Sequence, residues 1–473
     1  MDKETPATKV KTWSSTAIAQ TGIQSIPVPP PQDPEVRAQR REILRLAIPA
    51  FLALIAEPVF LLVDSAIVGY LGTASLAGLG VATAVLLSAV GIFVFLAYGS
   101  TSVVARRAGA GDLRGALGAG IDGIYLAALL GIATTVAIFL GAQPIVDFFN
   151  ASPAASTEAV TYLAISAFGI PPMLVVFAAT GVLRGLQDTT TPLIVAVAGF
   201  SANAVLSLTL VHGVGLGIAG AAWGSVAAQT AMALALTAVV LRGARREQAP
   251  RSFHPGGVFI AARGGIPLLI RTLALRGIIL ATTWVAAGLG DADLAAFQVS
   301  ITVWHLLVFA LDALAIAGQA ITGKYLGAGD LARTRAAMAM MIRWGVWFGV
   351  ILAVLILATH RLIPLAFSAD PEVRASISAA LVVLAVQQPI AAIAFVLDGV
   401  LMGAGDMWWL AIAQVLLALA YLPMLYAVWA SGAQETAGLV WLWVAFSAFM
   451  AIRSVVVWLR SRSDAWMVTG ATR

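Results

Sequence analysis

Glu57 and Asp64 stand seven residues apart inside an apolar run that extends from about residue 43 to 69. An ionisable side chain in a membrane-crossing helix costs roughly 2.5–3.5 kcal/mol on insertion scales, so each one needs a reason to be there. At 3.6 residues per turn the two acids share a helix face, about 10 Å apart along the axis. Burial penalises the charged form of a carboxyl group. Such an acid can exchange protons at working pH, or hold a sodium ion or an organic cation in the proton's place. Occupancy by one excludes the other, and that exclusion couples two flows. Asp64 leads for this work and Glu57 follows. The competing reading is a neutral carboxyl bonded to Asn203 or to a helix carbonyl, holding the bundle together. Pro58 follows Glu57 directly and removes a backbone donor, which favours a kink.

Asn203, in the fifth apolar run, comes to a similar depth. Its amide can donate to a carboxylate and accept from a carboxylic acid, so it tolerates both protonation states. Thr180 and Ser207 are weaker candidates, because hydroxyls in membrane helices commonly bond their own backbone. The second half of the chain carries another polar set: Arg271, His305, Asp312 and Asp398. An ion pair of Arg271 with either aspartate fits their depth. A structural salt bridge is the leading reading there, with an ion or substrate path as the alternative. His305 is seven residues from Asp312 and shares its face, as a core histidine or as a relay.

These residues need helices to hold them. Of 473 residues, 60% are hydrophobic and 11% charged, against the roughly 25% charged of soluble domains. Twelve apolar runs of membrane-crossing length follow one another, since about 20 residues suffice to cross. They lie near 43–69, 77–102, 116–146, 156–184, 190–212, 217–241, 264–288, 295–321, 334–360, 374–402, 407–430 and 437–459. The runs are continuous rather than alternating, which excludes a barrel. Arginine and lysine crowd alternate loops, while the opposite loops hold only Arg361 and Arg374, so both termini are expected to be cytoplasmic. Trp408, Trp409, Trp441, Trp443 and Trp458 read as an interfacial belt. Cysteine is absent, and no metal-ligand cluster, Walker motif or nucleophile–base pair occurs, so neither an enzyme nor an ATP-driven pump is expected.

The halves repeat at an offset of 218 residues. Ile48-Pro49 returns as Ile266-Pro267, Leu71-Gly72 as Leu289-Gly290, and Gly109-Ala110-Gly111-Asp112 as Gly327-Ala328-Gly329-Asp330. Gly181-Val182-Leu183, with Gly185 and Asp188, returns as Gly399-Val400-Leu401, Gly403 and Asp406. Six spans per half is an even number, so the halves enter the membrane in the same direction. A parallel repeat of this kind is a transporter architecture, with substrate sites near the repeat interface. The tetrapeptides with Gly111 and Gly329 read as helix stops.

The twelve spans, the early prolines, the paired Gly-Ala-Gly-Asp, Val63-Asp64-Ser65 with Val68-Gly69-Tyr70-Leu71-Gly72, and Gly181 to Asp188 together resemble the multidrug and toxic compound extrusion (MATE) transporters, nearest to the DinF-like branch. That resemblance implies a functional aspartate at Asp64. It also implies an asparagine and an aspartate one turn apart in the fifth helix; Asn203 matches the first, while Ser207 stands where the second acid belongs. Where the NorM-like branch has a glutamate in helix 7 this chain has Arg271, and Asp398 matches that branch's aspartate in helix 10.

The expected fold is an all-α membrane protein with two parallel-repeat six-helix bundles. Its expected organisation is a disordered cytoplasmic tail (1–36), an N-lobe (37–241), a linker (242–263), a C-lobe (264–460) and a C-terminal tail (461–473). The resemblance implies a secondary antiporter that exports organic, often cationic, toxic compounds in exchange for protons or sodium. A lipid-linked precursor flippase of the same superfamily is the alternative. No cofactor and no resident metal are expected, apart from a sodium ion at Asp64. The expected partners are small-molecule substrates and the lipid bilayer, not nucleic acid, for a monomer in the cell (plasma) membrane.

Overall fold

The structure, a computed structural model, describes residues 34–433 and 435–472, without the side chains of Glu35, Glu57 and Glu435. Twelve helices are long and apolar enough to cross a membrane, and no strand occurs among the described residues. They are α1 (Pro34–Gly69), α2 (Thr73–Gly109), α3 (Leu113–Asp147), α4 (Pro153–Gly185), α5 (Thr190–Gly213) and α6 (Ile218–Arg246). The second half supplies α7 (Pro255–Ala287), α8 (Asp291–Gly327), α9 (Leu331–Thr359), α10 (Pro371–Gly403), α11 (Met407–Ala430) and α12 (Thr436–Arg462). Short 3-10 turns interrupt α2 at Ile92–Val94 and α4 at Ala167–Gly169, and α5 ends in a π-turn at Thr209–Gly213.

The duplication reaches the helix ends. Thr73 and Asp291, Gly109 and Gly327, Leu113 and Leu331, Pro153 and Pro371, and Gly185 and Gly403 are boundaries at the same offset of 218. The caps repeat too. Ser152 accepts from the Ala155 amide and Asp370 from the Glu372 amide, each just before a proline that needs no donor of its own. Gly111 (φ 82°) and Gly329 (φ 76°) turn the chain in the left-handed region, where a side chain is disfavoured. Asp112 and Asp330 then cap the following helices through the Gly115 and Arg333 amides. The repeated tetrapeptide is thus a helix stop and a helix start in one.

Within each lobe the repeated Gly-Val-Leu brings two backbones together. A Cβ on Gly181 would collide with the Ala97 carbonyl of α2, and one on Gly399 with the equivalent Ala315 carbonyl of α8. Between the lobes, α2 and α1 pack on α8, and α3 on α7. The face bearing the basic loops is tightly laced: its connections within a lobe are three or four residues long.

Three boundaries differ from expectation. The tail reading at 1–36 lies outside the described residues up to 33, and residues 34–36 begin α1. The linker reading at 242–263 shrinks to 247–254, because α6 and α7 run on past their apolar stretches into basic turns. Hydropathy marks the membrane's thickness, not the helix's length. The C-terminal tail reading at 461–473 starts two residues early, because α12 runs to Arg462, and within that tail Trp466 is fully buried. Trp443 also departs from the belt: it is 1% exposed and stacks on Phe297 with ring centroids 5.6 Å apart.

Candidate ion and substrate site

Asp64 lies five residues before the end of α1 and points into the N-lobe, 4% exposed. Tyr162 of α4 donates its hydroxyl to Oδ2 at 3.3 Å. Oδ1 is buried with no hydrogen-bond partner among the described residues. A buried polar atom without a partner is rare enough to require an explanation, and an absent ion or proton is one. Ser207 comes within hydrogen-bond reach of the same carboxyl. Asn203 does not bond Asp64 directly. Its amide donates to Ser225 Oγ at 3.2 Å, and its carbonyl accepts from Ser207 Oγ at 3.0 Å. Ser207, one turn on from Asn203, gives its one hydroxyl proton to that amide and so faces Asp64 as an acceptor for the acid's proton.

Asp64, Asn203 and Ser207 thus form one buried polar cluster on α1 and α5. The residues that sequence reasoning missed are Tyr162 and Ser225, supplied by α4 and α6. Thr180 is half-buried on α4 and makes no side-chain hydrogen bond among the described residues. The Glu57 side chain lies outside the described residues. Beside the cluster, His212 in the π-turn contacts the Ile67 carbonyl at 3.3 Å. Single π-turns frequently mark functional sites.

The C-lobe builds its charge cluster elsewhere. Asp398 of α10 takes Arg271 of α7 at 2.5 Å and, on the same oxygen, Arg453 of α12. Of the two aspartates open to Arg271, the structure chooses Asp398. The second arginine was not foreseen, since Arg453 sits near the end of its apolar run and reads as a flanking charge. It is 3% exposed, lies over the Phe395 ring at 5.4 Å, and its Nε has no hydrogen-bond partner among the described residues. Asp312 stands within electrostatic reach of Arg271, Asp398, Arg453 and the N-lobe's Arg184. Tyr98 of α2 faces the same group, and Gln319 of α8 donates to its carbonyl at 2.6 Å. This cluster therefore borders both lobes. His305 stays apart from it: its side chain is exposed, packs edge-on against Trp304, and has Arg276 as its charged neighbour. It is neither a core histidine nor a partner of Asp312.

Two six-helix lobes with buried, non-equivalent polar clusters define a two-lobed membrane transporter. The chain belongs to the MatE family, whose pattern it matches over residues 49–209 and 267–427. It is 32% identical to Protein DETOXIFICATION 44, chloroplastic, of Arabidopsis thaliana, over 92% of this chain and 85% of that protein. It is 28% identical to Protein DETOXIFICATION 42 of the same plant, over 88% and 90%. Among solved structures, a MOP superfamily transporter from Pyrococcus furiosus superposes with a TM-score of 0.81 at 20% identity, covering 90% of this chain and 96% of that one. An outward-facing multidrug resistance MATE transporter does so with a TM-score of 0.81 at 21% identity, covering 91% and 97%. The chain is thus a multi-pass MATE-family transporter, in a family of toxic-compound efflux proteins.

Proposed function

We propose that the protein is a secondary antiporter that exports organic, often cationic, compounds in exchange for protons or sodium, with Asp64 as the coupling group. The observation that carries this reading is the buried Asp64 carboxyl with one hydrogen bond and an unpartnered oxygen. A proton, a sodium ion or a cationic cargo would each complete it, and only one can do so at a time. Tyr162 holds the carboxyl, and Asn203 orients the neighbouring Ser207 by accepting its hydroxyl proton. In this proposal the protein works as a monomer in the cell membrane, with its basic face toward the cytoplasm. DETOXIFICATION 44 is named chloroplastic, and its likeness supports an organellar membrane as the other address.

The test is uptake of a fluorescent organic cation into inverted vesicles, driven separately by proton and sodium gradients. Uptake that follows one gradient and vanishes with Asp64→Asn supports the proposal; uptake indifferent to Asp64 overturns it. A second reading, cargo bearing a carboxylate or phosphate, is favoured by the two arginines that share Asp398. With Asp312 beside them the two pairs balance, and the N-lobe's Arg184 leaves the shared cluster one positive charge in excess. Uptake of an anionic dye in the same vesicles, lost in Arg453→Met, would select that reading. The lipid-linked precursor alternative is not favoured beside relatives named for detoxification.

A further inference from the structure

The segment that follows α12 stays on the basic face and crosses from one lobe to the other. It leaves the C-lobe at Arg462, makes a 3-10 turn at Asp464–Trp466, and buries Trp466 completely. Asp464 is anchored to Arg335 of α9 at 2.8 Å. Further on, Gly470 donates its amide to the Leu326 carbonyl at the end of α8, at 3.0 Å. To this point the segment follows its own lobe.

Arg106 changes that. It belongs to α2 of the N-lobe and is 3% exposed, although it sits in a cluster of basic residues that would ordinarily face water. Its Nη2 donates to the carbonyls of Val468 at 2.7 Å, Gly470 at 2.9 Å and Thr472 at 3.3 Å. Its Nη1 donates to the Ala404 carbonyl at the end of α10, at 2.8 Å. A guanidinium presents a rigid fork of donors, and here one whole terminal amino group is given to the carbonyls of one short segment. That segment is held by a residue of the other lobe.

The backbones beneath the segment are in close contact. A Cβ on Gly109 of α2 would collide with the Lys324 carbonyl of α8, and one on Gly327 of α8 with the Arg106 carbonyl. Gly109 and Gly327 are repeat equivalents, as are Arg106 and Lys324. The closure is therefore pseudo-symmetric, and the segment lies over it on one side only. Parting the lobes on this face would pull Arg106 away from Val468 and Gly470.

We propose that residues 464–472 form a strap that holds the basic face closed and must release Arg106 before that face can open. The proposal rests on the reading of the chain as a transporter whose lobes rock. Its test reads lobe separation directly, so it fails or stands independently of transport.

Because the chain has no cysteine, Arg114→Cys and Ala332→Cys can carry two spin labels without background. They are exposed repeat equivalents in the first turns of α3 and α9, one per lobe. Distance distributions would be recorded in lipid nanodiscs for the doubly labelled full chain, for Arg106→Gln and for Gly470→Val. Gly470 has φ 106° and open space where a Cβ would sit, so valine there strains the strap's backbone alone. Both variants should raise the long-distance fraction about tenfold, the change expected from losing a few net hydrogen bonds of ordinary strength. An unchanged distribution in either folded variant overturns the strap. A response in Arg106→Gln alone also overturns it, because the effect would then belong to the Ala404 contact.

Discussion

Asp64 of α1 and Thr282 of α7 occupy the same position in the two repeats, yet only the first is an acid. Their surroundings have diverged in step. Where Asp64 neighbours Asn203 and Ser225, the equivalent positions in the C-lobe are Tyr421 and Trp443, both 1% exposed. Thr282 meets the Tyr421 hydroxyl at 3.1 Å, and the aromatic rings fill the space beyond. Conversely, the C-lobe's Asp398 corresponds to Thr180 in the N-lobe, and Arg271 and Arg453 correspond to Ala53 and Ala235. Duplication gave two similar frames, and each frame then kept one polar cluster at a different place.

Moving the acid should therefore fail. The double variant Asp64→Thr with Thr282→Asp keeps the number of carboxyls constant but surrounds the new one with aromatic rings. It is expected to reach the membrane and to show no gradient-driven uptake in inverted vesicles. Recovery of transport would mean that the environment of Asp64 is irrelevant.

Tyr162→Phe removes the hydroxyl that Asp64 accepts from and that also faces Ser225 and Ser166, while keeping the 5% exposed ring in place. The loss of one hydrogen bond to a charged group is worth about 1.5–3 kcal/mol. Transport should fall by at least about tenfold on that scale, with membrane levels unchanged on an immunoblot. Asn203→Ala should act in the same direction but more weakly, because its contact with the acid runs through Ser207.

At Asp398 the order of damage is informative. Asp398→Asn leaves Arg271 and Arg453 facing each other without their shared counter-charge. Breaking a buried pair by removing one partner costs about 3–5 kcal/mol. Arg453→Met should cost less, since Arg271 still pairs with the aspartate. Detergent-solubilised protein followed by fluorescence size exclusion after heating would show Asp398→Asn melting well below Arg453→Met. The reverse order would deny Asp398 its place as the shared anchor.

Gly399→Val tests the close approach of α10 to α8. The added side chain would meet the Ala315 carbonyl, which is backbone and cannot rotate away. Overpacking of this kind costs about 1–3 kcal/mol, occasionally more. The variant should be poorly recovered from membranes, whereas Gly277→Val on α7, where a Cβ meets open space, should be recovered normally.

Much of this architecture is legible in the sequence. Long apolar runs and a constant offset specify twelve helices and two lobes, because both signals are summed over many residues. Asp64 and Asn203 draw notice in the sequence because such polar groups are expensive in a bilayer, and Ser207 because it stands where the family resemblance puts an acid. Tyr162, Ser225 and Arg453 do not: tyrosine and serine cost little in an apolar helix, and an arginine near a helix end looks like a membrane flank. The packing of Trp466 and the reach of Arg106 to Gly470 depend on helices far apart in the chain, so no local pattern announces them.

Among the described residues, the eight from 247 to 254 are the only connection longer than four on the basic face, and they join α6 to α7. Every other turn on that side is too short to be severed without unravelling a helix end. Between the first and the last helix, a protease admitted to that face should therefore nick the chain at this connection. Two separately expressed halves, divided there, should find each other in the bilayer and reconstitute the whole.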